Sequence, residues 1–144
     1  MKTVATILKN KGSEVSFVSP DTMVRDALKI MAEKNIGAIV VMNNTKLVGI
    51  FSERDYARKI VLKDKSSKST AISEIMTSED LVTVKPSTSI DECMVLMTER
   101  RSRHLPVVEN EQLLGVISIG DLVKHIIEDQ KITIENLQNY ISGQ

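Results

Sequence analysis

Short apolar runs alternate along this chain with charged and turn-forming stretches, and the alternation occurs twice. Val24, Ala27, Leu28 and Met31 recur at helical spacing with charged residues between them, which predicts an amphipathic helix. Ser19-Pro20-Asp21 stands ahead of it. The proline closes an extended segment around Val15 and Phe17, and Asp21 or Thr22 is placed to cap the helix. Asn35-Ile36-Gly37 breaks it. AIVVM (38–42) is a continuous β-branched run with the length of a strand buried on both faces. Asn43-Asn44 is turn chemistry, KLVGIF (46–51) returns as a second strand, and a helix is predicted from Ser52 through Ile60.

Residues 81–127 repeat residues 15–61 without a gap. Val18/Val84, Pro20/Pro86, Met31/Met97, Val41/Val107, Asn44/Asn110, Gly49/Gly115, Ser52/Ser118, Asp55/Asp121 and Ile60/Ile126 are among the identical pairs. Shared register with shared polarity predicts one supersecondary unit used twice. The second unit reads as strands HLPVV (104–108) and LLGVI (113–117) about an ENEQ turn, then a helix from Ser118 to about Ile127. LKDKSSKS (62–69) is polar enough for a solvated linker, though its lysines could also reach a phosphate. EDQKITIENLQNYISG (128–143) predicts a further helix ending near Gly143. Ile132, Leu137 and Ile141 on it need cover, from the body or from a second copy. The expected divisions are 1–64, 65–128 and a helical tail 129–144.

Charge and composition narrow the function. Nineteen basic side chains balance nineteen acidic ones, so there is no electrostatic footprint for nucleic acid or an anionic membrane. No apolar run approaches the length of a membrane span. MKTVATILKNKG lacks the apolar core of a secretion signal, which points to the cytoplasm. Cys93 has no partner cysteine and shares helical spacing with Ile90, Met94 and Met97, so it reads as a buried hydrophobe rather than a nucleophile. His104 and His125 are the only histidines, and neither a zinc motif nor a phosphate-transfer loop is present. No catalytic and no metal residues are expected.

The candidate chemistry lies in GIFSERD (49–55) and GVISIGD (115–121). Ser-x-x-Asp at a helix start is first of all a capping box, which needs no ligand. Three features favour more. Each serine follows a glycine that could let a ligand approach the strand. Each box opens directly after a strand, where helix amides and dipole favour an anion. The pair also recurs although the residues inside it differ. A carboxylate suits the two hydroxyls of a ribose better than it suits a phosphate, while the serine and the amides suit the phosphate and the β-branched strands an adenine face.

With these motifs in register, the chain resembles a tandem cystathionine-β-synthase (CBS) domain pair, or Bateman module. EIMT (74–77) leading into LVTVKP (81–86), and RHLPVV (103–108), are further matches. SERDYARK (52–59) and KSTAISEIMT (68–77) are similar to small stand-alone pairs of bacteria and plant organelles. The resemblance implies an α/β (α+β) fold of two repeats about a pseudo-twofold axis, each a small sheet with helices on one face. It implies two clefts for adenine nucleotides, each joining the Ser/Asp pair of one repeat to strands of the other. One would gather Ser52, Arg54, Asp55, Thr77, Val82, Arg103, His104 and Pro106; its mate Ser118, Gly120, Asp121, Ser16, Ile36, Gly37, Ala38 and Ile39. Arg54, Arg103 and His104 would give the first cleft the firmer phosphate grip, although a solvated turn also accounts for Arg103 and His104. The implied function is non-catalytic energy sensing and signal transduction. The regulatory ligand would be AMP first, with ADP, ATP and NAD(H) as alternatives, and the effector a protein in trans. The opposed reading is an interaction module with vestigial clefts. A homodimer through helices is also implied; Met23, Met31, Met94 and Met97 suit such an interface, or else fill the repeat cores.

Overall fold

The computed structural model describes residues 2–12 and 14–142. Helix α1 (Val4–Lys11) and strand β1 (Phe17–Val18) precede α2 (Val24–Lys34), β2 (Ala38–Asn43) and β3 (Lys46–Ser52). Helix α3 (Glu53–Asp55) follows at once and widens into a π-helical turn, Tyr56–Val61. After a 3-10 turn, Ile72–Glu74, come α4 (Ile90–Arg100), β4 (His104–Glu109), β5 (Gln112–Ser118) and α5 (Ile119–Ile141).

The two β-hairpins keep one register. Ala38 faces Ser52 and Val41 faces Gly49 in the first; His104 faces Ser118 and Val107 faces Gly115 in the second. Both are bulged directly after the valine, and both turn on an asparagine at positive φ, Asn44 at 57° and Asn110 at 52°. Asparagine tolerates that left-handed conformation. β1 lies parallel to β2 through Val18 and Val41, and the isolated Val84–Val107 bridge repeats this contact in the second half.

The predicted α2 cap is not made. Asp21 and Thr22 bond Ser19 instead, at 2.7 and 3.2 Å, and the helix begins after Met23 with no side-chain cap. Its first amides donate to the chain that links the repeats: Val24 N to the Thr70 carbonyl and Arg25 N to the Ser67 carbonyl, both at 2.9 Å. The polar connector therefore has a structural task, because free helix amides need acceptors. α4 combines both solutions, with Ser89 accepting from Glu92 N at 3.1 Å and Lys2 O from Ile90 N at 3.2 Å.

The segment leading into each repeat packs on the other repeat. Val4 and Ile7 of α1 are buried with Ile90, Leu105 and Leu122, whereas Ile72 and Ile75 are buried with Val24, Ile39 and Phe51. Val4 N donates to Thr88 O and Ala5 N to Pro86 O; Ile72 N donates to Thr22 O and Ser73 N to Pro20 O. These bonds superimpose if the lead-ins are offset by 68 residues (Val4 to Ile72) rather than the 66 of the repeat bodies (Thr22 to Thr88). A loop two residues longer after α1 absorbs the difference.

This exchange explains the signature glycines. A Cβ at Gly49 would lie 2.6 Å from Met76 Sδ and 3.1 Å from the Thr77 carbonyl oxygen, and one at Gly115 would lie 2.7 Å from Leu8 Cδ2. Both glycines admit the neighbouring lead-in, and Gly115 also lines the cleft beside Ser118. Gly49→Ala is expected to lose about 1–3 kcal/mol by overpacking. Gly115→Ala should lose less, because a leucine tip yields where a carbonyl does not. Urea unfolding of both variants checks the order.

Met31 and Met97 lie inside the two cores and Met94 packs against the second, so these methionines fill the repeats. Cys93 is fully buried, and burial, with the Glu92 charge, pushes its thiol up to about 11. The two helices expected between Ser118 and the C-terminus are one, unbroken for 23 residues. It ends at Ile141; Gly143, the expected stop, lies outside the described residues.

Candidate functional site

Each hairpin delivers its serine from the last strand position into the first turn of the next helix, and both capping boxes are closed. Asp55 N donates to Ser52 Oγ at 3.2 Å and Ser52 N donates to Asp55 Oδ2 at 2.9 Å. The corresponding distances at Ser118 and Asp121 are 3.1 and 2.8 Å. The local reading of Ser-x-x-Asp is thus fully satisfied, and each carboxylate commits Oδ2 to it. What distinguishes the halves is the surroundings.

Beside Ser52 opens a cleft of about 760 Å³. Asp55 Oδ1 there accepts from Thr77 Oγ1 at 3.4 Å and pairs with Lys59 Nζ at 3.1 Å. Thr77 is held by a two-way backbone bridge to Ile50, both bonds 2.9 Å. Lys59 also donates to the Ile75 carbonyl at 2.9 Å, and the π-helical turn sets it there. Arg54, Arg58, Arg100, Arg101 and Arg103 join Lys59 on the walls against Glu53 and Asp55. Arg54 Nη1 donates to the Arg101 carbonyl at 2.9 Å, tying the first repeat to the end of α4. A concavity with such an excess of positive charge on its walls concentrates anions.

Beside Ser118 the cleft is smaller, about 370 Å³, and its charge is reversed: Glu14 and Asp121 face the single Lys11. Lys11 Nζ donates to Asp121 Oδ2 at 2.9 Å and to the Val116 carbonyl at 2.7 Å. Val116 matches Ile50, so an ammonium here takes the carbonyl that a backbone amide takes in the first cleft. Burial raises the Asp121 carboxyl, but the Lys11 hydrogen bond and the Ser118 contacts outweigh it and hold the group below its ordinary value. His125, four residues on and equivalent to Lys59, makes no matching pair; its Nε2 is buried without a partner.

His104 stands between the clefts and lines both. Burial, aided by Lys11 and opposed by Asp121 and Glu53, lowers its pKa, so the ring is neutral near neutrality. It offers a hydrogen bond to either cleft rather than a charge.

Residues 11–62 and 72–128 match the CBS domain family. The chain belongs to that family. It is 39% identical over 149 residues to the CBS domain-containing protein CBSX3, mitochondrial, of Arabidopsis thaliana, an alignment covering 98% of this chain and 72% of that one. A protein with CBS domains from Burkholderia ambifaria superimposes with a TM-score of 0.85 at 53% identity, covering 90% of this chain and 96% of its own. The CBS domain pair of MJ0100, solved with 5′-methylthioadenosine and S-adenosyl-L-methionine, shares the fold: TM-score 0.77, 24% identity, 87% and 99% covered. The α+β fold of two CBS repeats is established by these matches and by the paired hairpins.

The CBS resemblance assigned each cleft eight residues. Ser52, Arg54, Asp55, Thr77, Arg103 and His104 line the first. Val82 packs instead against the second core, and Pro106 is buried behind the strand bridge, its carbonyl accepting from Val84 N at 3.0 Å. Ser118, Asp121, Ser16, Ile36, Gly37 and Ala38 line the second. Ile39 is buried in the first core, and Gly120 is exposed, a Cβ on it standing 3.6 Å from Ser118 Oγ at the cleft's edge. Among the residues missed are Arg58, Lys59, Arg100 and Arg101 in one cleft and Leu8, Lys11 and Glu14 in the other. The run ERRSR (99–103) was a visible signal for the arginines. Lys11 had none, because the two-residue slip hid the first lead-in from the repeat alignment. Among the described residues no helix is long and apolar enough to cross a membrane, and no group of His, Cys, Asp and Glu is arranged to hold a metal.

Proposed function

We propose that this CBS pair is a regulatory module that binds a phosphate-bearing adenosine ligand in the Ser52 cleft and signals the bound state to a partner protein in trans. AMP is the first candidate; ATP and NAD(H) share its adenosine half. The observation that carries the proposal is the polarity of that cleft. Asp55 Oδ1 and Thr77 form a polar point suited to ribose hydroxyls, and a rim of arginines suits phosphate. The Ser118 cleft, with two carboxylates against one lysine, suits an uncharged or cationic adenosine derivative better. Binding rather than catalysis fits because both aspartates are engaged in capping boxes. A cytoplasmic setting completes the reading.

The closed capping boxes favour one alternative, a structural interaction module with vestigial clefts. Calorimetry with AMP, ATP and NAD on the wild-type protein and on Asp55→Asn separates the two. The amide still accepts from Ser52 N but removes the charge, so the fold is expected to hold while affinity drops about tenfold or more, as for loss of a charge-assisted bond. Folded wild-type protein that gives no heat with any of the three leaves the structural alternative standing.

A further inference from the structure

The last half of α5 has no visible reason to be helical alone. From Ile127 to Ser142 every residue is exposed, with Ile134 at 53%, Leu137 at 56% and Ile141 at 82%. An isolated helix of about 15 residues is marginal in water, so a stable one needs a packed face. The spacing says what that face fits. Val123, Ile127, Gln130, Ile134, Leu137 and Ile141 follow one another at alternating steps of four and three residues, an unbroken heptad seam. Ile127, Ile134 and Ile141 occupy a positions; Val123, Gln130 and Leu137 occupy d positions. Isoleucine at every a position, with leucine at the d position Leu137, leans toward two parallel strands.

We propose that α5 pairs with α5 of a second copy of this chain as a parallel two-stranded coiled coil, extending the body into a dimer. The occupant is another α5 because the seam is self-complementary in that arrangement. Gln130 meets Gln130 across the axis, where two amides can bond each other and a misaligned register would strand them. Flanking positions pair Ile126 with Lys131 and Thr133 with Gln138 of the partner, so no like charges meet. An antiparallel pair would bring Lys131 beside its own copy. Ile132 and Tyr140 are the exceptions, outside the seam at 58% and 81% exposure. Met31 and Met97 are committed to the repeat cores, and among the described residues seven of the eleven exposed large apolar side chains lie on α5. The inference is independent of any ligand in the clefts.

Sedimentation equilibrium of the full chain tests it, on wild type and on the double variant Ile134→Lys/Leu137→Lys. Wild type is expected at dimer mass and the variant at monomer mass, with unchanged urea unfolding of the body. Orientation is read by mild oxidation of Gln130→Cys, which should cross-link across the axis, against Asn136→Cys on the outer face, which should not; buried Cys93 stays silent. A wild type that is monomeric throughout, a dimer that survives the double variant, or equal cross-linking of the two cysteine variants each overturns the proposal.

Discussion

Reversing the charge at Arg103, in an Arg103→Glu variant, is expected to weaken AMP binding by about 10- to 100-fold while leaving adenosine binding nearly unchanged. A charge-assisted hydrogen bond contributes about 1.5–3 kcal/mol, and each 1.4 kcal/mol is about tenfold in affinity. The effect is selective because Arg103, with Arg100 and Arg101, lines the same cleft as Ser52 and Asp55. A ligand whose ribose meets Asp55 would present its phosphate to those arginines, and adenosine would present nothing there. Titration calorimetry of both ligands, at two salt concentrations, gives the answer. The wild-type AMP affinity should fall with salt, since exposed charges are screened, and the variant should lose most of that dependence. If adenosine and AMP weaken equally, the phosphate does not face Arg103 and the ligand lies otherwise.

The asymmetry behind that expectation rests on two exchanges that the repeat makes visible. Arg54 and Arg103 stand where the other half has Gly120 and Gly37 (each shifted by 66, as Ser52 is from Ser118). The bodies of the repeats were legible because strand register and turn chemistry are local: a β-branched run, an asparagine turn and a Ser-x-x-Asp box each declare themselves within a few residues. The polarity of the first cleft was legible for the same reason. Three things were not. The caps of α2 come from the carbonyls of Ser67 and Thr70, some forty residues on, and nothing in Ser19-Pro20-Asp21 announces a distant acceptor. The glycines before each serine answer to Met76 and Leu8 of the exchanged lead-ins, a tertiary contact with the same local appearance as a ligand approach. Lys11 ends α1, ahead of a loop two residues longer than its counterpart, so the repeat register set no partner beside it to mark it. Long-range chain exchange leaves periodicity untouched, and periodicity was the signal in use.

That exchange decides how the protein should unfold. Phe51 and Ile117 are equivalent positions, each fully buried, one in each core. Phe51→Ala is expected to cost about 3–5 kcal/mol and Ile117→Ala about 2–5 kcal/mol, from lost transfer energy and the cavity left behind. If the halves were independent, each variant would move one of two transitions. Here the core around Phe51 includes Ile72 and Ile75 from the lead-in of the second repeat, and the core around Ile117 includes Val4 and Ile7 from that of the first. Neither core can open without releasing a segment that caps and packs the other, through bonds such as Ile72 N to Thr22 O and Val4 N to Thr88 O. One cooperative urea transition is therefore expected for wild type and both variants, moved to lower denaturant with its slope preserved. Two half-amplitude transitions, with only one displaced in each variant, would mean that the lead-ins peel away before the cores yield. The two clefts would then have no mechanical link through the fold. Let the lead-ins hold instead, and a ligand that tightens one repeat strains the segment seated on the other, which gives a sensor of this size a physical route from one cleft to its mate.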